Sequence, residues 1–220
     1  EFTLYEGIDP HPQKPHAALW KAIDPKGNRY VVAELKCEDG IHEFGKRIVQ
    51  KRNELRRRGA LLHRSIADTS LNQDDPAFRM NLKDELCQVL RDHGESVMPQ
   101  NAQKRDWLEA GITKVKDLYR PIVVEGTNQR RPTQFVFKNC TSYKYELTHY
   151  QWPKKQILEN TKPIAKDNDL LDCDRYIESV APAFQTPGQE GIIRSGNRAY
   201  QRLSQMERQL SYNQMLINRG

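Results

Sequence analysis

Three segments near the start of the chain, TLYEGID, HAALWKAID and RYVVAELK, alternate in the manner of half-buried strands, and DPKGN between the last two supplies a glycine-containing turn. The period then changes. In IHEFGKRIVQKRNELRRRG apolar residues recur at helical spacing (Ile41, Phe44, Ile48, Leu55), and Gly59 marks a helix stop. ALLHRSIAD returns to strand character. A strand-helix-strand passage within one sheet crosses over right-handed, so the fourth strand can lie parallel to the first, beside two antiparallel partners. The order β-β-β-α-β therefore predicts an α/β fold around a mixed sheet.

Downstream, residues 70 to 80 form a polar loop, NLKDELCQVLRDHG and KRDWLEAGITKVKDLY predict helices, TQFVFKNC a fifth strand, and a helix around residues 168 to 181 closes the domain. After Pro182 the composition shifts to FQTPGQEGIIRSGN, a Pro/Gly/Gln-rich linker. RAYQRLSQMERQLSYNQMLI follows with a thin apolar stripe (Ala199, Leu203, Met206, Leu210, Ile217). The expected organisation is one domain over 1–182 and, over 183–220, a linker with a polar helix or a disordered tail; the stripe would suit docking on a partner helix. No apolar run approaches a bilayer span, and the first residues lack the features of a secretion signal. Cys37, Cys87, Cys140 and Cys173 are scattered, which indicates neither a disulfide framework nor a zinc site and suits a reducing cytoplasm.

The stretch KDNDLLDCDRYI places four aspartates within eight residues of a chain whose Lys+Arg exceed its Asp+Glu by 35 − 29 = 6. On a helix turning about 100° per residue, Leu170, Cys173, Ile177 and Val180 form a core-facing stripe. Asp169, Asp172 and Tyr176 share the adjoining flank. Asp174 points away from Asp172, and Asp167 occupies an N-cap position. Acidic residues early in a helix also complement its macrodipole, and that alone would account for some of them. Two further acids change the balance. Asp9 ends the first strand before Pro10, and Asp68 ends the fourth; parallel neighbours put both carboxylates at one sheet edge, about 5 Å apart in the pairing direction. With Asp172 delivered by a helix packed on that sheet, the acids converge. Carboxylates so close raise one another's pKa unless cations join them, and hard oxygen donors select Mg²⁺ or Mn²⁺. A pair of such ions about 3.5 to 4 Å apart suits in-line attack of water on a phosphodiester.

Basic residues would then hold the phosphate backbone. The candidates are Lys51, Arg52 and Arg56 on the basic helix, Arg130 and Arg131 before the fifth strand, and Lys154; the helix cations also serve plain solubility. Lys14, Lys36 and Ser70 lie on loops near the acids without a spacing that singles them out. His11 and His16 follow the first strand in a Pro-stiffened loop and suit structural roles. Trp20, Trp107 and Trp152 suit packing. Gly40 to Arg47, GIHEFGKR, approximates a phosphate-binding loop, but Arg47 replaces the hydroxyl that would bind Mg²⁺ and Glu43 would repel phosphate, so no nucleotide site is expected.

YEGIDPHPQKPHAALW, SIADTSLN, KNCTSYKYELTHYQWP and DNDLLDCDRYI, in that order over roughly residues 3 to 180, resemble the nuclease domain of the large terminase subunit of tailed bacteriophages. The resemblance implies an RNase H-like fold, with a central mixed sheet of five or more strands flanked by helices. It also implies two divalent metals, Mg²⁺ or Mn²⁺, and endonuclease activity on concatemeric double-stranded viral DNA in the host cytoplasm. Asp9, Asp68 and Asp172 would be the catalytic metal ligands. Asp169 stands where the family often has His, as a further ligand or an outer orienting group. Terminase large subunits carry an ATPase motor ahead of the nuclease; none is visible here, so the chain is expected to be the C-terminal nuclease portion, with the ATPase domain, the portal and the small terminase subunit as partners. Two rival readings are another RNase H-like nuclease, resolvase- or transposase-like, and a non-catalytic DNA- or portal-binding module.

Overall fold

The computed structural model describes residues 1–11, 15–68, 81–102, 108–124, 126–150 and 168–186. The chain divides into two compact units, Glu1–Phe184 and Gln185–Gly220; the elements below all belong to the first. Strands β1 (Thr3–Asp9), β2 (His16–Ile23) and β3 (Arg29–Cys37) form the antiparallel meander expected from their alternation. Helix α1 (Ile41–Arg57) crosses over to β4 (Leu62–Ala67), which pairs parallel with β1, Ile8 opposite Ala67.

The remaining elements are α2 (Leu82–Asp92), β5 (Pro99–Asn101), α3 (Leu108–Leu118), a hairpin of β6 (Ile122–Val123) and β7 (Arg130–Arg131), β8 (Gln134–Val136), α4 (Thr141–His149) and α5 (Asp169–Ser179). The main sheet has six strands in the order β5-β4-β1-β2-β3-β8. Only β2 runs antiparallel to its neighbours, because β4, β5 and β8 pair parallel with β1, β4 and β3. The predicted fifth strand is thus β8, trimmed to three residues. Its expected tail turns through Asn139, and Cys140 becomes the residue before α4.

Alternation along β1 assigns each residue to a layer. Leu4 and Ile8 join Trp20, Phe44, Ile48, Leu86 and Leu90 in the core under α1 and α2. Tyr5 joins Leu19, Ile23, Ile66, Tyr143, Leu170, Cys173 and Ile177 in the core under α4 and α5. Each such buried aliphatic or aromatic side chain contributes about 1.5–3 kcal/mol. Of the stripe predicted on α5, Leu170, Cys173 and Ile177 are fully buried and Val180, just past the helix, is half-buried; Asp169, Asp174, Tyr176 and Glu178 are buried as well.

Arg52, expected as a DNA contact, serves the core instead. Arg52 does not lie on the outer face of α1: it is 3% exposed. Its position four residues after Ile48 and three before Leu55 puts it on the buried stripe, where Glu6 of β1 awaits a partner. Its guanidinium donates to both Glu6 oxygens (2.9 and 2.6 Å), to Glu95 Oε2 (3.1 Å) and to the Val97 carbonyl (2.9 Å). Trp20 Nε1 and Ser65 Oγ also donate to Glu6, at 2.8 and 2.6 Å. Lys51 pairs with Glu54 (2.7 Å) and Arg56 with Glu95 (3.1 Å), so the basic face of α1 is partly neutralised. Arg47, in the phosphate-loop lookalike, is tied to Asp39 and Glu43.

Candidate active site

The register of β1 against β4 ends at Ile8 opposite Ala67, and Asp9 and Asp68 are the next residue on each side, at the same edge of the sheet. Both fall on the α5 side by alternation, since Tyr5 and Ile66 face that layer. Gly7 explains how α5 reaches them. A Cβ on Gly7 would lie 2.2 Å from the Cys173 carbonyl oxygen and 2.8 Å from its carbon. The backbone of α5 therefore rests directly on β1, next to the residue two before Asp9, and no other side chain fits there.

The first turn of α5 is held from outside. Glu146 of α4 accepts from the backbone N–H groups of Leu170 (2.8 Å) and Leu171 (3.1 Å), supplying the cap that the helix does not provide itself. Asp167, expected as the N-cap, lies outside the described residues. Asn168 occupies that position, makes no side-chain cap, and donates instead to Asp172 Oδ2 at 3.0 Å. Lys36 of β3 binds Glu146 Oε1 at 2.6 Å and Asp169 Oδ2 at 3.3 Å. Asp169 thus has a cation beside it.

Asp9, Asp68, Asp169 and Asp172 occupy one electrostatic neighbourhood. Burial first, then Asp172, Asp68 and Asp169, pushes the Asp9 carboxyl up to about 8, while Arg175 opposes them. Asp172 is also raised, by burial first and then by Asp169 and Asp68, against the pull of Arg175. Arg175 donates from Nε and Nη2 to Asp172 Oδ1 at 3.1 and 3.0 Å. The Tyr176 hydroxyl, on the flank predicted for it, sits 3.5 Å from Asp9 Oδ1, and its phenol is pushed upward by burial and by the same acids.

Among the described residues, no three His, Cys, Asp or Glu side chains are arranged to hold a metal ion as they stand. Both Asp172 oxygens are engaged, one by Arg175 and the other by Asn168. The donor chemistry nonetheless fits a hard divalent cation: carboxylate oxygens from three separate segments, with the Asp9 carboxyl pushed up to about 8 by burial and by its neighbours.

The other sequence candidates fall elsewhere. Asp174, expected to point away from Asp172, is fully buried with Lys21 and accepts from Gln134 Nε2 (2.8 Å) and Tyr143 Oη (2.5 Å). His16 is buried, stacks on Phe44 and accepts from the His11 N–H at 3.0 Å, so it has a structural role. Arg130 and Arg131 are exposed on β7. Lys14, Ser70, Trp107, Lys154 and Trp152 lie outside the described residues. Gly7, Asn168, Glu146 and Arg175 were not anticipated. Arg175 had a local signal, three residues after Asp172 on one helix face; Gly7 and Glu146 act through contacts distant in sequence.

No known protein family matches the chain's sequence, and no curated protein sequence matches it. Solved structures do resemble its fold. The nuclease domain of the P22 large terminase superposes with a TM-score of 0.56 at 19% identity, covering 82% of this chain and 81% of that one. The large terminase of the thermophilic bacteriophage D6E gives a TM-score of 0.54 at 19% identity over 80% of this chain. This chain spans 38% of that protein's length. The fold is the RNase H-like fold of terminase nuclease domains.

Proposed function

We propose that this chain, built on the fold of the phage large-terminase nuclease domain, is a divalent-metal-dependent endonuclease of double-stranded DNA that cuts concatemeric viral genomes during packaging. The observation that carries the reading is the Asp9 carboxyl, raised to about 8 by burial and by acids from β4 and α5. Buried carboxylates that raise one another's pKa are relieved when a bound cation neutralises them, and such groups cluster at functional sites. Asp9, Asp68 and Asp172 would hold Mg²⁺ or Mn²⁺, with Asp169 tied to Lys36 as an outer orienting group. Two bound ions would supply the charge that neutralises a phosphodiester as water attacks it in line.

The chain's own residues prepare that site. Gly7 lets α5 lie on β1, Glu146 holds its first turn, and the Lys21 pair with Asp174 locks its other flank. Arg130 and Arg131, both exposed, and Lys51 and Arg56 on α1 are the described candidates for gripping the phosphate backbone. In a longer protein, an ATPase motor would precede this domain, with the portal and small subunit as partners in the host cytoplasm. No described helix is long and apolar enough to cross a membrane.

Plasmid cleavage tests the proposal. With Mn²⁺ or Mg²⁺ the chain should degrade plasmid DNA, EDTA should stop it, and Asp9→Asn should abolish it. Undiminished cutting by Asp9→Asn would remove Asp9 from the mechanism. The engagement of both Asp172 oxygens favours one second reading, a DNA-binding module that keeps the fold without the chemistry. Salt-sensitive DNA binding with no uptake of divalent ions would support that alternative.

A further inference from the structure

We propose that Arg175 is a built-in counter-cation of Asp172, and that its release sets how readily the carboxylate cluster takes up a divalent ion. The inference rests on the metal-site reading above and concerns a residue which that reading leaves without a role. Three contacts define the side chain. Its head donates twice to Asp172 Oδ1, at 3.1 and 3.0 Å. Its Cζ lies 4.7 Å from the Tyr176 ring centroid. Its stem covers Gly111 of α3, where a Cβ would come within 2.6 Å of Cγ and 2.7 Å of Cδ.

Gly111 is a helix-interior glycine, a position where alanine would favour the helix more. The Arg175 stem accounts for it, because α3 leaves open the groove in which that stem lies. The geometry is thus built from two elements rather than made by one flexible surface side chain.

The carboxylate cannot serve two cations at full strength. With Asn168 on Oδ2 and Arg175 on Oδ1, Asp172 has both oxygens occupied. An ion that binds it directly has to share or displace the guanidinium. Displacement is easy in two respects. The pair is an i,i+3 contact whose side chains are 20% and 24% exposed, so water reaches it and can replace the guanidinium contacts as they open. Tyr176 also offers the departing guanidinium an aromatic face. Because an arginine keeps its charge at all physiological pH values, the competitor is permanent and only another cation or an anionic ligand can relieve it.

Calorimetric titration of the 220-residue chain with Mn²⁺ alone, in the absence of DNA, tests this. Arg175→Met keeps the stem over Gly111 and removes the charge. It should tighten Mn²⁺ binding about tenfold, the size of one neighbouring charge's effect on an ionic equilibrium. Arg175→Lys, which keeps the charge without the fork, should fall between wild type and Arg175→Met. Gly111→Ala leaves Arg175 in the chain but fills its groove, and it should tighten binding in the same direction, which provides a second route if Arg175→Met does not fold. Unchanged or weaker Mn²⁺ binding in the folded variants would overturn the inference and make Arg175 an orienting group. Asp9→Asn separates the two levels: if it abolishes Mn²⁺ binding while the Arg175 and Gly111 variants fail to tighten it, only the counter-cation role falls. If wild type and all variants bind no Mn²⁺, the metal site itself falls, and this inference with it.

Discussion

Asp172 and Asp174 lie two residues apart on α5, yet their surroundings differ completely. Asp174 has no exposed surface and is matched by Lys21, with Gln134 and Tyr143 donating to its second oxygen, while Glu178 one turn on takes Lys21 at 2.8 Å and Arg29 at 3.0 Å. Every charge on that flank has a partner of opposite sign. Asp172 shares its electrostatic surroundings with Asp9, Asp68 and Asp169, and among the described residues Arg175 pairs with Asp172 and Lys36 with Asp169. A compensated buried acid ties a helix to a sheet; neighbouring acids that raise one another's pKa suit the cation site proposed above. The same contrast appears on β1, where Glu6 is satisfied by Arg52, Trp20 and Ser65, and Asp9, three residues later, by none of these.

The sharpest way to break this contrast is to move the helix that carries both flanks. Gly7→Ala should cost about 4 kcal/mol or more, because the added methyl meets Cys173 backbone that cannot swing aside. Chemical denaturation would measure it, and a loss under about 1 kcal/mol would mean that α5 does not rest on β1. Next in size is the compensated flank: Lys21→Met leaves Asp174 buried and unpaired and should cost about 3–5 kcal/mol. The double variant Lys21→Met with Asp174→Asn should recover much of that loss. If it recovers nothing, Lys21 matters for packing rather than charge.

The uncompensated flank should respond in the opposite sense. Asp9 titrates near 8 when folded and near 3.8 in an ordinary setting, so between these values the folded chain keeps a proton that the unfolded chain releases. Its contribution to stability is therefore full below about pH 4 and is lost as the pH climbs to about 8. In EDTA, Asp9→Asn should match wild type near pH 4 and be more stable at pH 8. At about 1.4 kcal/mol per pKa unit the gain is a few kcal/mol at most, reduced by partial exposure. Adding Mn²⁺ should narrow that gap, and a flat difference across pH would contradict the account. The smallest effect belongs to the exposed pairs. Arg56→Ala should change stability by less than about 1 kcal/mol, and any role in DNA binding should show as a shallower salt dependence.

Much of this contrast was legible in the sequence. Alternation and the crossover rule placed Asp9 and Asp68 at the ends of adjacent parallel strands, and helical spacing put Asp169, Asp172 and Tyr176 on one flank, although Asp169 and Tyr176 are themselves buried and Tyr176 joins the core. What escaped has physical causes. Arg52 was assigned to the outer face because it sits in a basic run, although its spacing to Ile48 and Leu55 puts it on the stripe; its partner Glu6 is 46 residues away. Gly7 carries no local signal, since its reason, the backbone at Cys173, comes from the far end of the domain. β5 is three residues with little strand propensity, held by pairing with β4. The capping of α5 by Glu146 joins two helices whose packing no local pattern reveals.

The central claim is that β1, β4 and α5 bring their acids together as a seat for divalent cations, and crystals soaked in Mn²⁺ test it most directly through the ion's anomalous scattering. The account predicts strong anomalous peaks within bonding distance of Asp9, Asp68 and Asp172, with the Arg175 guanidinium withdrawn from Asp172. Fully diffusing Mn²⁺ that leaves this end of the sheet without a peak, Arg175 still seated on Asp172, would contradict it.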